Sequence, residues 1–171
     1  LTKMAWIGSA TRSFRMCYFW HGTGIKTWSG LDRARQVTLG ATGAKSASYN
    51  DAAMLKNLLK QNVRIIAGYP GRTEVQLAVE RGEVDGECGT PESVPEDWWR
   101  DKKASMVLRM SEAKTPEIPD DVPWMGSFVK SEADMQALQL LIAANELGRP
   151  FVASREVPAS LSNPTGSPWI R

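Results

Sequence analysis

The sequence predicts an α/β fold, a largely parallel sheet flanked by helices, and three observations predict it. Short apolar stretches alternate with longer ones whose apolar residues recur at helical spacing. A unit of strand, glycine-bearing turn and helix occurs twice in succession. The length, 171 residues, fits one domain that can bury roughly two-thirds of its unfolded surface.

The first segment with strand character is Phe14–Trp20, rich in aromatics and broken by Arg15. His21-Gly-Thr-Gly24 turns the chain, and Thr27 is placed to cap a short helix carrying Trp28 and Leu31. Gln36–Ser48 reads as a strand, a turn with glycine at 40 and 43, and the start of a helix over Ser48–Lys60. Ala52, Leu55, Leu58 and Leu59 share that helix's apolar side. Val63–Glu74 repeats the pattern, with Gly68 and Gly71 in the turn. Its helix covers Thr73–Arg81 and carries Val75, Leu77, Ala78 and Val79.

Glu83–Cys88 reads as a third strand, Pro91–Lys103 as a helix around Trp98 and Trp99, and Met106–Met110 as a fourth strand. Three prolines and four acids make Ser111–Pro123 a surface loop. Ser131, with Asp134 three residues on, resembles a capping box. It opens the longest helix, whose Met135, Leu138, Leu141, Ile142 and Leu147 form a core stripe ending at Gly148. Arg149–Ala153 is one more short strand. The reading is one lobe over residues 1–153 and an irregular Pro/Ser-rich tail over 154–171.

Composition narrows the function. Lys plus Arg (21) against Asp plus Glu (19) leaves a net charge of +2 with the signs interspersed, so no basic stripe for nucleic acid stands out. The longest apolar runs are far below the ~20 residues that span a bilayer. No charged segment followed by an apolar one opens the chain, and residue 1 is Leu, so the native start and any export signal are expected to lie outside these residues. Two cysteines, Cys17 and Cys88, permit one disulfide without announcing an oxidising compartment.

The chemistry concentrates at the two glycine turns. Glycine lets backbone approach a ligand, and the free N–H groups of a helix start favour an anion. Two such starts at one edge of a parallel sheet make a small-anion cradle; the alternative is that the glycines serve turn geometry alone. The expected donors are Gly43, Ala44 and Ser46 from the first turn and Gly71, Arg72 and Thr73 from the second, with Thr42 and Tyr69 flanking them. Thr90, just past the third strand, lies beside them, and Lys45 and Arg72 add charge-assisted contacts.

Other chemistries fare worse. Cys17 and His21 sit in a strand and its turn, where i and i+4 lie ~13 Å apart, and there is no second histidine to complete a zinc site. No metal or cofactor is expected, and His21 reads as a core or cleft-rim residue. Glu83, Asp85 and Glu87 alternate along one strand: either a carboxylate set for acid/base work, or, as expected here, a helix end followed by a solvated strand edge. Trp98-Trp99 either stacks on a ligand or, as expected, anchors a surface helix. No nucleophile–base pair for a hydrolase is found.

An ordered series of motifs resembles the extracytoplasmic solute-binding receptors of tripartite tricarboxylate transporters, the Bug-type proteins. The series is Trp6-Ile-Gly-Ser9, Cys17 followed by Trp20-His21, Gly24-Ile-Lys-Thr27, Gly40-Ala-Thr-Gly43, Gly68-Tyr-Pro-Gly71, Leu77–Gly86 with Cys88-Gly89, Trp98 before Asp101-Lys-Lys103, and Gly148-Arg-Pro-Phe-Val152. It covers about Trp6 to Ala153. The resemblance implies one lobe, the second, of a type II periplasmic-binding-protein-like fold, in which two α/β lobes hinged by crossover strands hold a small carboxylate between them. Trp6–Ser9 and Arg149–Ala153 match segments near the crossovers, and the first lobe would precede Leu1. The pattern dissolves after Val157-Pro158, and Lys45 stands where the family commonly keeps a small residue, either reinforcing the anion site or filling it.

The resemblance further implies a binding lobe rather than an enzyme, and a periplasmic location with the transporter's membrane subunits as partners if the full receptor exists. In an oxidising compartment Cys17 and Cys88 would form a disulfide, with two buried thiols as the alternative. Without the other lobe, apolar groups such as Trp6, Phe151, Trp20 and Trp124 would stand at the surface, so a homodimer through the crossover strands is expected. The competing functional reading is a stand-alone truncated lobe that acts as an interaction or oligomerisation module.

Overall fold

The computed structural model describes residues 4–9, 12–147, 150–154 and 156. Its elements are β1 (Met4–Ser9), β2 (Met16–Trp20), α1 (Trp28–Asp32), β3 (Val37–Ala41), α2 (Ala47–Asn57), β4 (Val63–Ala67), α3 (Arg72–Glu80), β5 (Gly86–Gly89), α4 (Glu96–Arg100), β6 (Ala104–Arg109), α5 (Glu132–Leu147) and β7 (Pro150–Ser154). Five strands form one sheet in the order β4-β3-β5-β2-β6. β3 runs parallel to β4 and β5, whereas β2 is antiparallel to both its neighbours. The sheet is thus mixed and mostly parallel, with β2 alone reversed. Apolar alternation reports which face a side chain takes and carries no strand direction, so the reversal was not readable.

Period-two alternation splits the strands between two cores. Cys17 and Phe19 of β2 face a layer containing Ala52 and Leu55 of α2 and Leu138 and Ile142 of α5. Met16 and Tyr18 face the other way, toward Ala78 and Val79 of α3 and Trp98 of α4. Cys17 and Cys88 stand directly opposite across the β2–β5 ladder and are joined by a disulfide, with Cα atoms 4.0 Å apart.

Several boundaries differ from the sequence reading, each for a local reason. The amide of Glu83 still bonds Ala78 O at 2.8 Å, closing α3, so β5 begins at Gly86 instead of Glu83. Pro95 splits Pro91–Lys103 into a 3-10 turn (Pro91–Ser93) and the short α4. α2 ends at Asn57, short of Lys60, which adopts a left-handed φ of 56°. The Ser111–Pro123 loop drives Ile118 and Val122 into the second core rather than lying wholly on the surface. Leu141, read as part of the core stripe, is exposed, as is Leu77 of α3. Thr27 occupies the N-cap of α1 without a side-chain capping bond, whereas Ser131 Oγ accepts from Asp134 N at 3.0 Å and donates to its carboxylate at 2.8 Å.

β1 and β7 pair with each other, antiparallel, in a separate two-stranded sheet, Met4 opposite Ser154 and Trp6 opposite Val152. Phe151 is exposed, as expected. Trp20 and Trp124, by contrast, are partly covered: Trp20 packs edge-on to Trp98 at 4.7 Å, and Trp124 Nε1 donates to Met110 O at 3.1 Å. The side chains of Trp6 and Leu147, Gly148, Arg149 and the tail apart from Ser154 and Glu156 lie outside the described residues.

Candidate functional site

β3 and β4 are in parallel register from Val37↔Val63 to Ala41↔Ala67, so the turns that follow them emerge at one edge of the sheet. β5, on the other side of β3, ends at the same edge with Gly89 and Thr90. The chain leaves β3 for β4 on one side, then returns past β3 to β5 on the other. Such a switch point, outside the carboxyl ends of the strands, is where open α/β sheets place ligands.

The two turns are built differently. Ser46 Oγ donates to Gly43 O at 2.8 Å and accepts from Tyr49 N at 3.2 Å, so this hydroxyl caps α2 and its hydrogen is already engaged. Ala44 and Lys45 are exposed at the turn, and Gly43 has open space where a Cβ would point. Gly40 has a different duty: a Cβ there would meet Val75 Cγ1 at 2.6 Å, so its lack of a side chain seats α3 against the sheet. In the second turn Gly68 holds φ at 109°, which glycine alone adopts without strain. Gly71 is the N-cap of α3, with Arg72 its first residue and Thr73 exposed on its first turn. Thr90 O accepts from Ser93 N at 3.1 Å, leaving the Thr90 side chain half-buried at the end of β5.

Tyr69 is carried to the second-core layer: its ring edge lies 3.7 Å from where a Gly40 Cβ would stand. Burial and then the Glu83 carboxylate raise its pKa. Thus Thr42, Gly43, Ala44, Lys45, Ser46, Gly71, Arg72, Thr73 and Thr90 come from the turns and strand end at one edge, and Tyr69 of the second turn packs its ring against the second core.

Beneath that edge lies a group of charges that sequence reasoning missed. Arg15, just before β2, donates from Nε to Asp51 Oδ2 of α2 at 2.5 Å, and both are buried. Arg72 Nε faces Glu87 Oε1 of β5 at 3.5 Å, while Tyr18 OH donates to Glu87 Oε2 at 3.2 Å. Glu87 is 1% exposed, so it lines no solvated strand edge, and the three alternating acids do not act as a set: Asp85 instead accepts from Thr38 N at 2.6 Å. Burial pushes Glu87 up to about 7, with Arg72 and Tyr18 opposing. Asp51 rises to about 6 by burial against the pull of Arg15. Tyr18 is driven well above its ordinary value, first by burial and then by Glu87. The available signal was an arginine interrupting an aromatic strand and an aspartate beside Ala52 on an apolar helix face.

The remaining candidates sit elsewhere. Trp20, which β2 carries to the opposite edge, meets the ring of the exposed His21 at a tilt, centroids 4.9 Å apart, so His21 lies outside the core and away from the glycine turns. Trp98 and Trp99 pack edge-on against Tyr18 at 5.9 and 5.6 Å, as core anchors. Among the described residues, no group of three His, Cys, Asp or Glu could hold a metal, and no helix is long and apolar enough to cross a membrane.

The fold these features define is an α/β unit with a mixed five-stranded sheet between helices, similar to part of solved periplasmic binding proteins. Specific solved structures share the fold: Rpa4515 of R. palustris with adipate (TM-score 0.61, 10% identity), MatC from Rhodopseudomonas palustris with bound malate (0.59, 16%) and the periplasmic binding protein BugD (0.60, 17%). Each likeness covers 83% of this chain but only 54–55% of the other, so the chain spans about half the length of the solved proteins it resembles. No family profile and no curated protein matches the chain by sequence.

Proposed function

We propose that this chain is a carboxylate-binding lobe of a solute receptor, taking one carboxylate of a small organic acid at the edge formed by Gly43–Ser46, Gly71–Thr73 and Thr90. The observation that supports the reading is the side-by-side placement of the carboxyl ends of β4, β3 and β5, from which depart the start of α2, capped by Ser46, and the start of α3, where Gly71 makes no side-chain cap and Arg72 comes first. Helix-start amides and a guanidinium are complementary to a carboxylate in charge and geometry. Adipate and malate in the solved structures of like fold support the same ligand class. The role is binding, not catalysis; within a full receptor the lobe would work in the periplasm and deliver ligand to membrane subunits of a transporter.

One lobe offers half a cleft, so binding should be weak, around millimolar, or about −4 kcal/mol. Amide NMR titrations with adipate, malate and an aromatic acid provide the test. Shifts centred on Gly43, Ala44, Gly71 and Arg72 are expected, and shifts elsewhere with these amides still would reject the assignment.

A second reading has its own observation. Phe151, Val152 and Met4 on the β1–β7 pair are 59%, 41% and 51% exposed, an apolar surface suited to self-association. On that reading the lobe is an interaction module that dimerises through these strands.

A further inference from the structure

We propose that anion binding at this edge is coupled to the uptake of one proton by Glu87, a buried carboxylate that touches no ligand and acts through Arg72. The inference rests on the carboxylate-site reading and adds to it a linked ion. Its basis is a count of charges in a closed group. The groups that reach Glu87 are Arg72 from α3, Tyr18 and Arg15 from β2 and its lead-in, and Asp51 from α2. Two guanidinium groups face two carboxylates, so the fully ionised set is neutral.

Arg72 is the member that looks both ways. Its Nε is turned inward to Glu87 Oε1 at 3.5 Å. Its terminal nitrogens lie 3.3 Å from where a Gly89 Cβ would stand, at the carboxyl end of β5, and the side chain is 31% exposed there. A ligand carboxylate arriving on that outer side brings a third negative charge to two positive ones. One internal carboxylate then relinquishes its charge, and the geometry singles out Glu87. Asp51 is gripped by Arg15 at 2.5 Å, whereas Glu87 Oε1 has no hydrogen-bond partner among the described residues and only a longer-range hold from Arg72. Burial already lifts Glu87 to about 7, so a neighbouring anion raises it further across neutral pH. By linkage, a protonated Glu87 strengthens anion binding by the factor with which the anion strengthens protonation.

Sodium adipate, whose own carboxyls stay ionised above about pH 6.5, is the probe. Its Kd should weaken about fivefold or more between pH 6.5 and 8.5, one linked proton allowing at most about tenfold per pH unit. Calorimetry at pH 7.5 in two buffers of different ionisation enthalpy should report a fraction of a proton taken up per adipate. Glu87→Gln fixes the neutral state, so its Kd should be flat with pH and match the wild type at pH 6.5; Asp51→Asn should retain the uptake. Should a variant fail to fold, the carboxyl 13C signal of Glu87 in the wild-type chain decides, its titration midpoint rising when adipate saturates the site. Adipate binding with an unchanged Kd and an unmoved Glu87 midpoint overturns the coupling alone. Absence of adipate binding at every pH overturns the carboxylate-site reading and the coupling together.

Discussion

Glu87 makes this fold's stability depend on pH in a direction opposite to that of most carboxylates. Its pKa of about 7 and that of Asp51, about 6, lie above the values of an unfolded chain. The native state therefore holds more protons than the unfolded one between about pH 4 and 7, and stability falls as pH rises through that window. Urea denaturation should give a higher midpoint at pH 5.5 than at pH 8.0, and Glu87→Gln should flatten the difference. A midpoint that climbs steadily from pH 5.5 to 8.0 would contradict the buried-carboxylate account. Arg72 has the complementary part: Arg72→Gln removes the outward cation, and adipate affinity should drop about tenfold, the amount expected for one charge-assisted contact. The two glycine turns and the helices that follow them were legible because glycine and helix starts leave a local signature. Arg15, Asp51 and Glu87 were not, since whether a charge meets a partner depends on which strands become neighbours, and no local pattern encodes that.

At the scale of elements, the two glycines of the first turn separate by what surrounds them. Gly40→Ala would push a methyl to within 2.6 Å of Val75, and such overpacking costs about 1–3 kcal/mol. Gly43→Ala meets nothing within 4 Å and should change stability by no more than about 0.5 kcal/mol. Chemical denaturation of both variants checks the contrast; equal losses would mean that both glycines serve turn geometry alone. The strands and the longer helices were readable from periodicity, including the twice-repeated βα unit. The reversed β2 and the early end of α2 were not, because direction and helix fraying are settled by neighbours. Leu77 shows that an apolar run is not a face: it stands two residues from both Val75 and Val79, a spacing that does not share a helix side, and α3 turns Val75, Ala78 and Val79 inward and leaves Leu77 outside.

For the whole molecule, the Cys17–Cys88 bond closes a loop with a sequence separation of 71 residues. Chain-entropy reasoning assigns a loop of that order about 4 kcal/mol. Non-reducing intact mass should fall about two daltons below the all-thiol value, since a disulfide forms by loss of two hydrogens, and reductant should lower the urea midpoint. A mass at the all-thiol value would leave the two strands joined by packing and ladder alone. The exposed Phe151 and Val152 lead to an expected homodimer through the β1–β7 strands. Light scattering across micromolar dilutions measures it, and a mass near one chain throughout would reject it.

The pairing of β1 with β7 also fixes how the molecule answers force. Met4 stands opposite Ser154, so the leading flank of β1 and the trailing flank of β7 leave the ladder at the same end. In an antiparallel pair the hydrogen bonds lie across the strands; tension applied at those flanks acts along the bonds and opens them one after another, as a zip, rather than shearing all of them together. Pulled at those flanks, the pair is expected to open bond by bond, and the disulfide would keep the chain between Cys17 and Cys88 out of any later lengthening.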